Sequence, residues 1–262
     1  MLKRELHIFL TAVMFYTRIP CPAWVDHSPA YITLCTRYFP LIGILVGAVY
    51  AISMASLSLI FSPLTSILIA LGISILLTGS FHEDGLADTC DGFGGGWTRD
   101  RILTIMKDSR LGSYGAIGLI LVLSIKVSIT FDLLSSQPIS IWMITIITSH
   151  TISRMMSIIL IYTQSYAKPI ESSPDTKPVA VGLKTKDFII ALFFTTVVLM
   201  VYAYVSHPSM LLTLLPLLSM TIYLRYYFQK WITGHTGDCL GATQQINEIL
   251  FLVAHYALCQ YI

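Results

Sequence analysis

Long apolar runs separated by short polar breaks dominate the chain, and they predict helices that cross a bilayer. The runs are continuous rather than alternating, so transmembrane strands do not fit them. The first clear span covers 38–61, Ser62-Pro63 makes a tight turn, and a second span returns over 64–79. A polar stretch follows over 81–110. Gly112, Gly115 and Gly118 then open a third span to about 134, with small residues that permit close helix packing. Residues 135–138 turn, and a fourth span runs over 139–162. Two more, over 187–206 and 210–229, are joined by His207-Pro208. A second polar loop covers 233–248, and a final span ends at Ile262. Ahead of all these, residues 3–18 suit a short amphipathic or partly inserted helix, stopped by Pro20-Cys21-Pro22. The expected fold is all-α: one domain over 1–262, a polytopic integral membrane helix bundle of about seven transmembrane helices plus a short N-terminal helix.

Composition agrees. Charged residues make up 11% of the chain, against about 25% in soluble domains, and the mean hydropathy is +0.74. The net charge of +2 and the lack of a basic block give no reason to expect nucleic acid as a partner. Cys21, Cys35, Cys90, Cys239 and Cys259 form no close pair of metal-ligand or redox type. No cleavable leader is expected, since the apolar run from His7 to Tyr16 is short and leads into Arg18-Ile19-Pro20. The turns at 62–63, 135–138 and 207–208 hold no Lys or Arg, whereas the loops at 18–37, 82–110, 164–186 and 230–244 hold most of them. By the positive-inside rule these four loops face the cytoplasm. Lys126 sits awkwardly, near the far half of the third span.

The polar stretch is where chemistry is expected. Asp84, Asp88 and Asp91 are spaced i, i+4, i+7 and share one face if the segment is helical. Three carboxylates that close repel one another, and a hard divalent cation is the simplest compensation. Oxygen-only ligands suit Mg²⁺, which keeps several waters and bridges to substrate phosphates. The plainer reading, a solvated acidic face, fits poorly in a chain this short of charge. Glu83 stands at the flank as a further metal contact. Gly94 and Gly95, with Gly92 and Gly96, either let backbone N–H groups approach a phosphate or form a flexible turn. Arg99, Arg101, Lys107 and Arg110 are phosphate clamps or positive-inside anchors. The dense run Lys107-Asp108-Ser109-Arg110 favours function for Asp108 and Arg110. In the second polar loop, Thr236, Asp238 and Asn247 stand out. Asp238 either caps the last helix or folds over the acids. His150 and Arg154, at i, i+4 inside the fourth span, are a functional hypothesis, with snorkelling of Arg154 as the alternative. His82 adjoins the acids as a ligand, a base or a hydrogen-bond anchor. Together these features point to metal-assisted phosphoryl or phosphodiester transfer.

Two stretches, His82-Glu83-Asp84-Gly85-Leu86-Ala87-Asp88-Thr89-Cys90-Asp91-Gly92 and Met106-Lys107-Asp108-Ser109-Arg110-Leu111-Gly112-Ser113-Tyr114-Gly115, resemble the signature of the cobalamin synthase (adenosylcobinamide-GDP ribazoletransferase) family. Phe15-Tyr16-Thr17-Arg18-Ile19-Pro20, Tyr38-Phe39-Pro40-Leu41-Ile42-Gly43 and Thr236-Gly237-Asp238-Cys239-Leu240-Gly241-Ala242 agree, in order along the chain. The resemblance implies a Mg²⁺-dependent enzyme of the bacterial cytoplasmic (inner) membrane, its active-site loops in the cytoplasm. A hydroxyl of α-ribazole or its 5′-phosphate attacks the cobinamide-linked phosphorus of adenosylcobinamide-GDP, and GMP leaves. Asp84, Asp88 and Asp91 become the metal and catalytic acids, with Asp108, Arg110 and Asp238 in the same site and His82 beside it. The implied partners are those substrates and the lipid bilayer, with an oligomer left open. His235 and the basic loop 164–186 depart from the family pattern. Loops 21–37 and 164–186 are expected to help hold the corrinoid. Two other readings compete: a CDP-alcohol phosphotransferase-like membrane enzyme, from whose pattern Ala87-Asp88 departs, and a cation-coupled transporter, which needs its ionisable groups near the bilayer midplane.

Overall fold

A computed structural model describes residues 2–25, 28–167 and 182–261, and these are helical almost throughout. Asp26, His27, Lys168 and Lys177, which belong to the loops expected to hold substrate, lie outside the described residues. The N-terminal helix α1 (Leu2–Tyr16) leads to α2 (Pro29–Cys35), a short 3₁₀ turn and α3 (Phe39–Leu57). Then come α4 (Pro63–Thr78), α5 (Phe81–Gly95), α6 (Arg99–Met106), α7 (Ser113–Ser136) and α8 (Ile139–Thr163). The C-terminal part holds α9 (Thr185–Val205), a 3₁₀ segment (Pro208–Thr213), α10 (Leu214–Ile232) and α11 (Gly237–Cys259).

The breaks have local causes. Pro63 opens α4 behind Ser62, whose hydroxyl accepts from Thr65 N–H. Gly79 closes it in the left-handed region (φ +66°), and Ser80 follows at φ +58°. The chain therefore turns by 88° between α4 and α5. Backbone Arg18 N–H bonds Leu77 O at 2.7 Å, and the Arg18 guanidinium packs on Gly79, so the segment just after α1 braces this corner.

Among the described residues, five stretches are long and apolar enough to cross a membrane: Pro29–Leu57, Ser113–Ser136, Ile139–Thr163, Thr185–Val205 and Pro208–Ile232. The bent pair of α4 and α5, taken as one span, makes six. The sequence led to an expectation of about seven. Two elements account for the difference. At a rise of 1.5 Å per residue, α4 is only about 24 Å long, short of a hydrocarbon core of about 30 Å. Helix α11 is long enough, but its first half carries buried Gln244, Gln245, Asn247 and Glu248. Two segments read as polar loops, 81–95 and 237–248, are helices.

Helices α8 and α11 form the inside of the bundle. Helices α3, α9 and α11 pack on α8, and α5, α7 and α10 pack on α11. Buried Arg37 ties the periphery together, bonding Glu5 of α1 at 2.6 Å and Asp187 of α9 at 3.0 Å. The element order places the short breaks after α3, α7 and α9 at one end of the bundle. Helices α5 and α6, residues 164–167 after α8 and the connection before α11 lie at the other end.

Candidate active site

Helix α5 carries the three aspartates on one face, graded in burial: Asp84 is exposed, Asp88 half-buried and Asp91 buried. Asp91 has a defined task. Its Oδ2 accepts from Gly112 N–H at 2.7 Å and its Oδ1 from Gly115 N–H at 2.8 Å. Gly112 is the N-cap position of α7 and has no side chain to cap with. Asp91 thus caps α7 from a neighbouring helix and meets the positive end of its dipole. A Cβ on either glycine would strike the carboxylate.

Helix α11 brings a fourth carboxylate. Its N-cap is Thr236, whose hydroxyl accepts from Cys239 N–H at 3.3 Å. Asp238 is therefore not the cap and sits in the first turn. A Cβ built on Gly85 would lie 3.0 Å from Asp238 Cα and 3.4 Å from Gly241 Cα, so α5 and α11 cross at backbone distance. That crossing brings Asp238 to the acid face. Burial, then the charges of Asp238, Asp84 and Asp91, push Asp88 up to about 7. Tyr166, in the connection after α8, stands beside Asp238: its phenol is raised by burial and then by that charge. This connection pairs with the one before α11, through Ala167 N–H to His235 O at 2.8 Å and His235 N–H to Ser165 O at 3.1 Å.

At the Asp91 end the face opens into a groove of about 470 Å³, lined by Asp91, Gly95, Arg101, Asp108, Arg110 and Tyr114 among others. Asp108 holds Arg110 through Nε at 3.0 Å and Nη2 at 2.6 Å. Those bonds hold the Asp108 carboxyl down at about 2. Gly95 lines the groove. Gly94 instead lies under the Tyr114 ring, which fills the space a side chain would need. Lys107 is exposed at the end of α6 and is not part of the groove lining.

Three predicted residues point elsewhere. Glu83 turns into the bundle, where its Oε1 accepts from Gln245 Nε2 at 2.9 Å. It is one residue, about 100° of helix, away from the aspartate face, which takes it off the expected metal. His82 is buried between Phe39 and Phe81, and burial is the main cause that lowers its basicity. Arg154 neither snorkels nor reaches a surface. It is 1% exposed, donates to His150 O at 2.7 Å and lies 3.9 Å from Glu248. The charges meet at Glu248, which also pairs with Lys126 and Gln244 and stands 3.0 Å from His150 Nδ1. Glu248, Gln244, Gln245 and Tyr166 were not singled out from sequence. Lys126 was the one signal, since a cation inside a span requires an anionic partner.

Among the described residues, no three His, Cys, Asp or Glu side chains stand close enough to hold a metal ion by themselves. The donor set nevertheless fits Mg²⁺. Asp84, Asp88 and Asp238 offer only oxygen, and Asp88 is pushed up by burial first and then by the charges of the neighbouring carboxylates, so a cation there would meet a carboxyl that gains from it. Mg²⁺ is commonly held by one or two carboxylates, with waters and substrate phosphates completing the shell.

A family model described as cobalamin-5-phosphate synthase matches residues 8–256. A Shewanella piezotolerans protein called adenosylcobinamide-GDP ribazoletransferase is 41% identical over 248 residues, covering 95% of this chain and 94% of its own. Proteins of the same name from Leptospira interrogans and Shewanella oneidensis are each 41% identical, over 253 and 247 residues. They cover 95% and 94% of this chain, and 95% and 92% of their own. No solved structure matches the chain.

Proposed function

The chain belongs to the cobalamin-5-phosphate synthase family, and we propose that it runs the family's transfer on the carboxylate face formed by α5 and α11. The protein is a multi-pass membrane transferase that performs the final assembly step of cobalamin. It joins adenosylcobinamide phosphate, delivered as adenosylcobinamide-GDP, to ribazole. The hydroxyl oxygen of α-ribazole or its 5′-phosphate forms a bond to the cobinamide-linked phosphorus. The bond from that phosphorus to GMP breaks, and the hydroxyl proton leaves with the solvent or the product phosphate. The carboxylates at the bundle end, rather than the midplane, speak against transport, and the family match replaces the CDP-alcohol reading.

The observation that carries this placement is the convergence of Asp84, Asp88, Asp91 and Asp238 beside a groove holding Arg101 and Arg110. Asp84, Asp88 and Asp238 would hold Mg²⁺, which would neutralise charge on the diphosphate and on the departing GMP oxygen. Arg101 and Arg110 offer forked donors to phosphate oxygens, and Asp108 keeps the Arg110 fork in place. Asp91 orients the α7 terminus that forms the groove wall. Tyr166 closes the Asp238 side. The site faces the cytoplasm from a bacterial inner membrane, where a large polar nucleotide-activated corrinoid is soluble.

Purified protein in detergent, given adenosylcobinamide-GDP and α-ribazole 5′-phosphate, is expected to release one GMP for each corrinoid product formed. GMP release at the same rate without ribazole would show hydrolysis instead and would sink the proposal.

A further inference from the structure

Below the aspartate face lies a second polar layer that the transfer chemistry does not touch. Glu248 is 1% exposed and bonds Lys126 of α7 and Gln244 of its own helix. It faces His150 at 3.0 Å and Arg154 at 3.9 Å on α8. Gln244 also donates to Ser153 of α8 at 3.2 Å. One helix turn away, Gln245 donates to Glu83 on the inward side of α5. So one cluster joins α5, α7, α8 and α11, the helices around the site. Six further atoms of it (Glu83 Oε2, Gln244 Oε1, Gln245 Oε1, His82 Nε2, His150 Nε2 and Arg154 Nε) are buried and have no hydrogen-bond partner among the described residues.

Such a cluster is a poor source of stability. Burying ions costs several kcal/mol each, and apolar replacements of equal size are often as stable or more so. What the cluster supplies is a defined arrangement. The Glu83–Gln245 bond links the cluster to α5, and Glu83 directly precedes Asp84. Asp91 holds the far end of α5 to the α7 terminus, but at the Asp84 end the crossing residues, Gly85 on Gly241, have no side chain with which to set the roll of α5 on α11. We infer that Glu83 and Gln245 are a positioning pair: their bond, anchored through α11 to Glu248, fixes the roll of α5 that sets Asp84 and Asp88 against Asp238. The inference rests on the reaction assigned above, and GMP release by the unaltered protein tests that reading separately.

A reciprocal exchange tests the pair. Gln245→Glu sets two carboxylates face to face. Adding Glu83→Gln restores one donor and one acceptor with the ends reversed. Each variant is assayed in detergent for kcat, for KM of adenosylcobinamide-GDP and for thermal midpoint. Q245E is expected to lower kcat about 30-fold or more with KM within twofold, and E83Q/Q245E to recover kcat to within threefold of the unaltered protein. An exchange variant as impaired as Q245E would overturn the inference, since a metal ligand at 83 cannot be moved to 245. So would a loss confined to KM, or no loss in Q245E. If Q245E does not fold, E83A, Q245A and E83A/Q245A replace the series. A double variant no worse than either single one supports the pair, and additive losses in kcat overturn it.

Discussion

Asp91 and Asp84 stand seven residues apart on one helix face and do different jobs. Asp91 spends both oxygens on the Gly112 and Gly115 N–H groups, so its loss is first a loss of fold. Asp91→Ala is expected to cost about 1–3 kcal/mol for the freed backbone donors and to lower the thermal midpoint in detergent, whereas Asp84→Asn leaves that midpoint where it was. Asp88 carries the pH dependence. Without a cation its carboxyl is pushed up to about 7, so proton and Mg²⁺ compete for it. The Mg²⁺ concentration giving half-maximal GMP release should rise about tenfold between pH 8 and pH 6, following the fraction deprotonated. A flat profile would remove Asp88 from the cation site. The same shift has a stability sign. Between the ordinary value of 3.8 and about 7 the folded chain holds a proton the unfolded chain has lost, so the cation-free fold weakens as pH rises through that window. The i, i+4, i+7 spacing made this face legible in the sequence. The task of Asp91 was not, because its partners lie 21 and 24 residues away on another helix.

At the scale of elements, the site depends on how α5 crosses α11. Gly85→Val would place methyl groups where Asp238 backbone now lies. It should reduce turnover about 100-fold or more, as misplaced catalytic groups do, while every carboxylate remains in the chain. Gly72→Val is the matched control on α4, where nothing lies within 4 Å of the added carbon. Equal losses in the two would mean that the crossing is not what matters. These elements also show why the polar stretches read as loops. Glycine and aspartate argue against helix in isolation. Glu83, Gln245 and Glu248 can be buried in their helices because each finds a partner on another helix, 162 residues apart for Glu83 and Gln245 and 122 for Lys126 and Glu248. Local pattern shows through Lys126 that an anionic partner is needed, but not which residue supplies it. The terminal signals were clear wherever one residue suffices, as with Ser62-Pro63 before α4 and Gly79 after it.

For the whole molecule, five separated stretches meet around one end of the bundle. Tyr16 stacks on Phe39 at 4.3 Å, Phe39 lies against His82, and Gly85 meets Asp238. Their order along the sequence was visible and their meeting point was not. That end also gathers Arg18, Arg37, Arg101 and Arg110, which is the basis for facing it to the cytoplasm. A single cysteine placed at position 62 should react with an impermeant maleimide from the periplasmic side in intact inner-membrane preparations, and one at position 108 only from the cytoplasmic side. The reverse pattern would turn the protein over and leave the activated corrinoid on the wrong side of the membrane.

The most direct measurement is GMP release from adenosylcobinamide-GDP and α-ribazole 5′-phosphate as Mg²⁺ is titrated, for the unaltered protein and for Asp84→Asn. The expected result is release that requires Mg²⁺ in the unaltered protein and falls below about 1% in the variant at every Mg²⁺ concentration, as loss of a metal-held charge at phosphorus demands. Undiminished release by a folded Asp84→Asn protein, or release indifferent to Mg²⁺, would contradict the assignment of the α5 face as the catalytic centre.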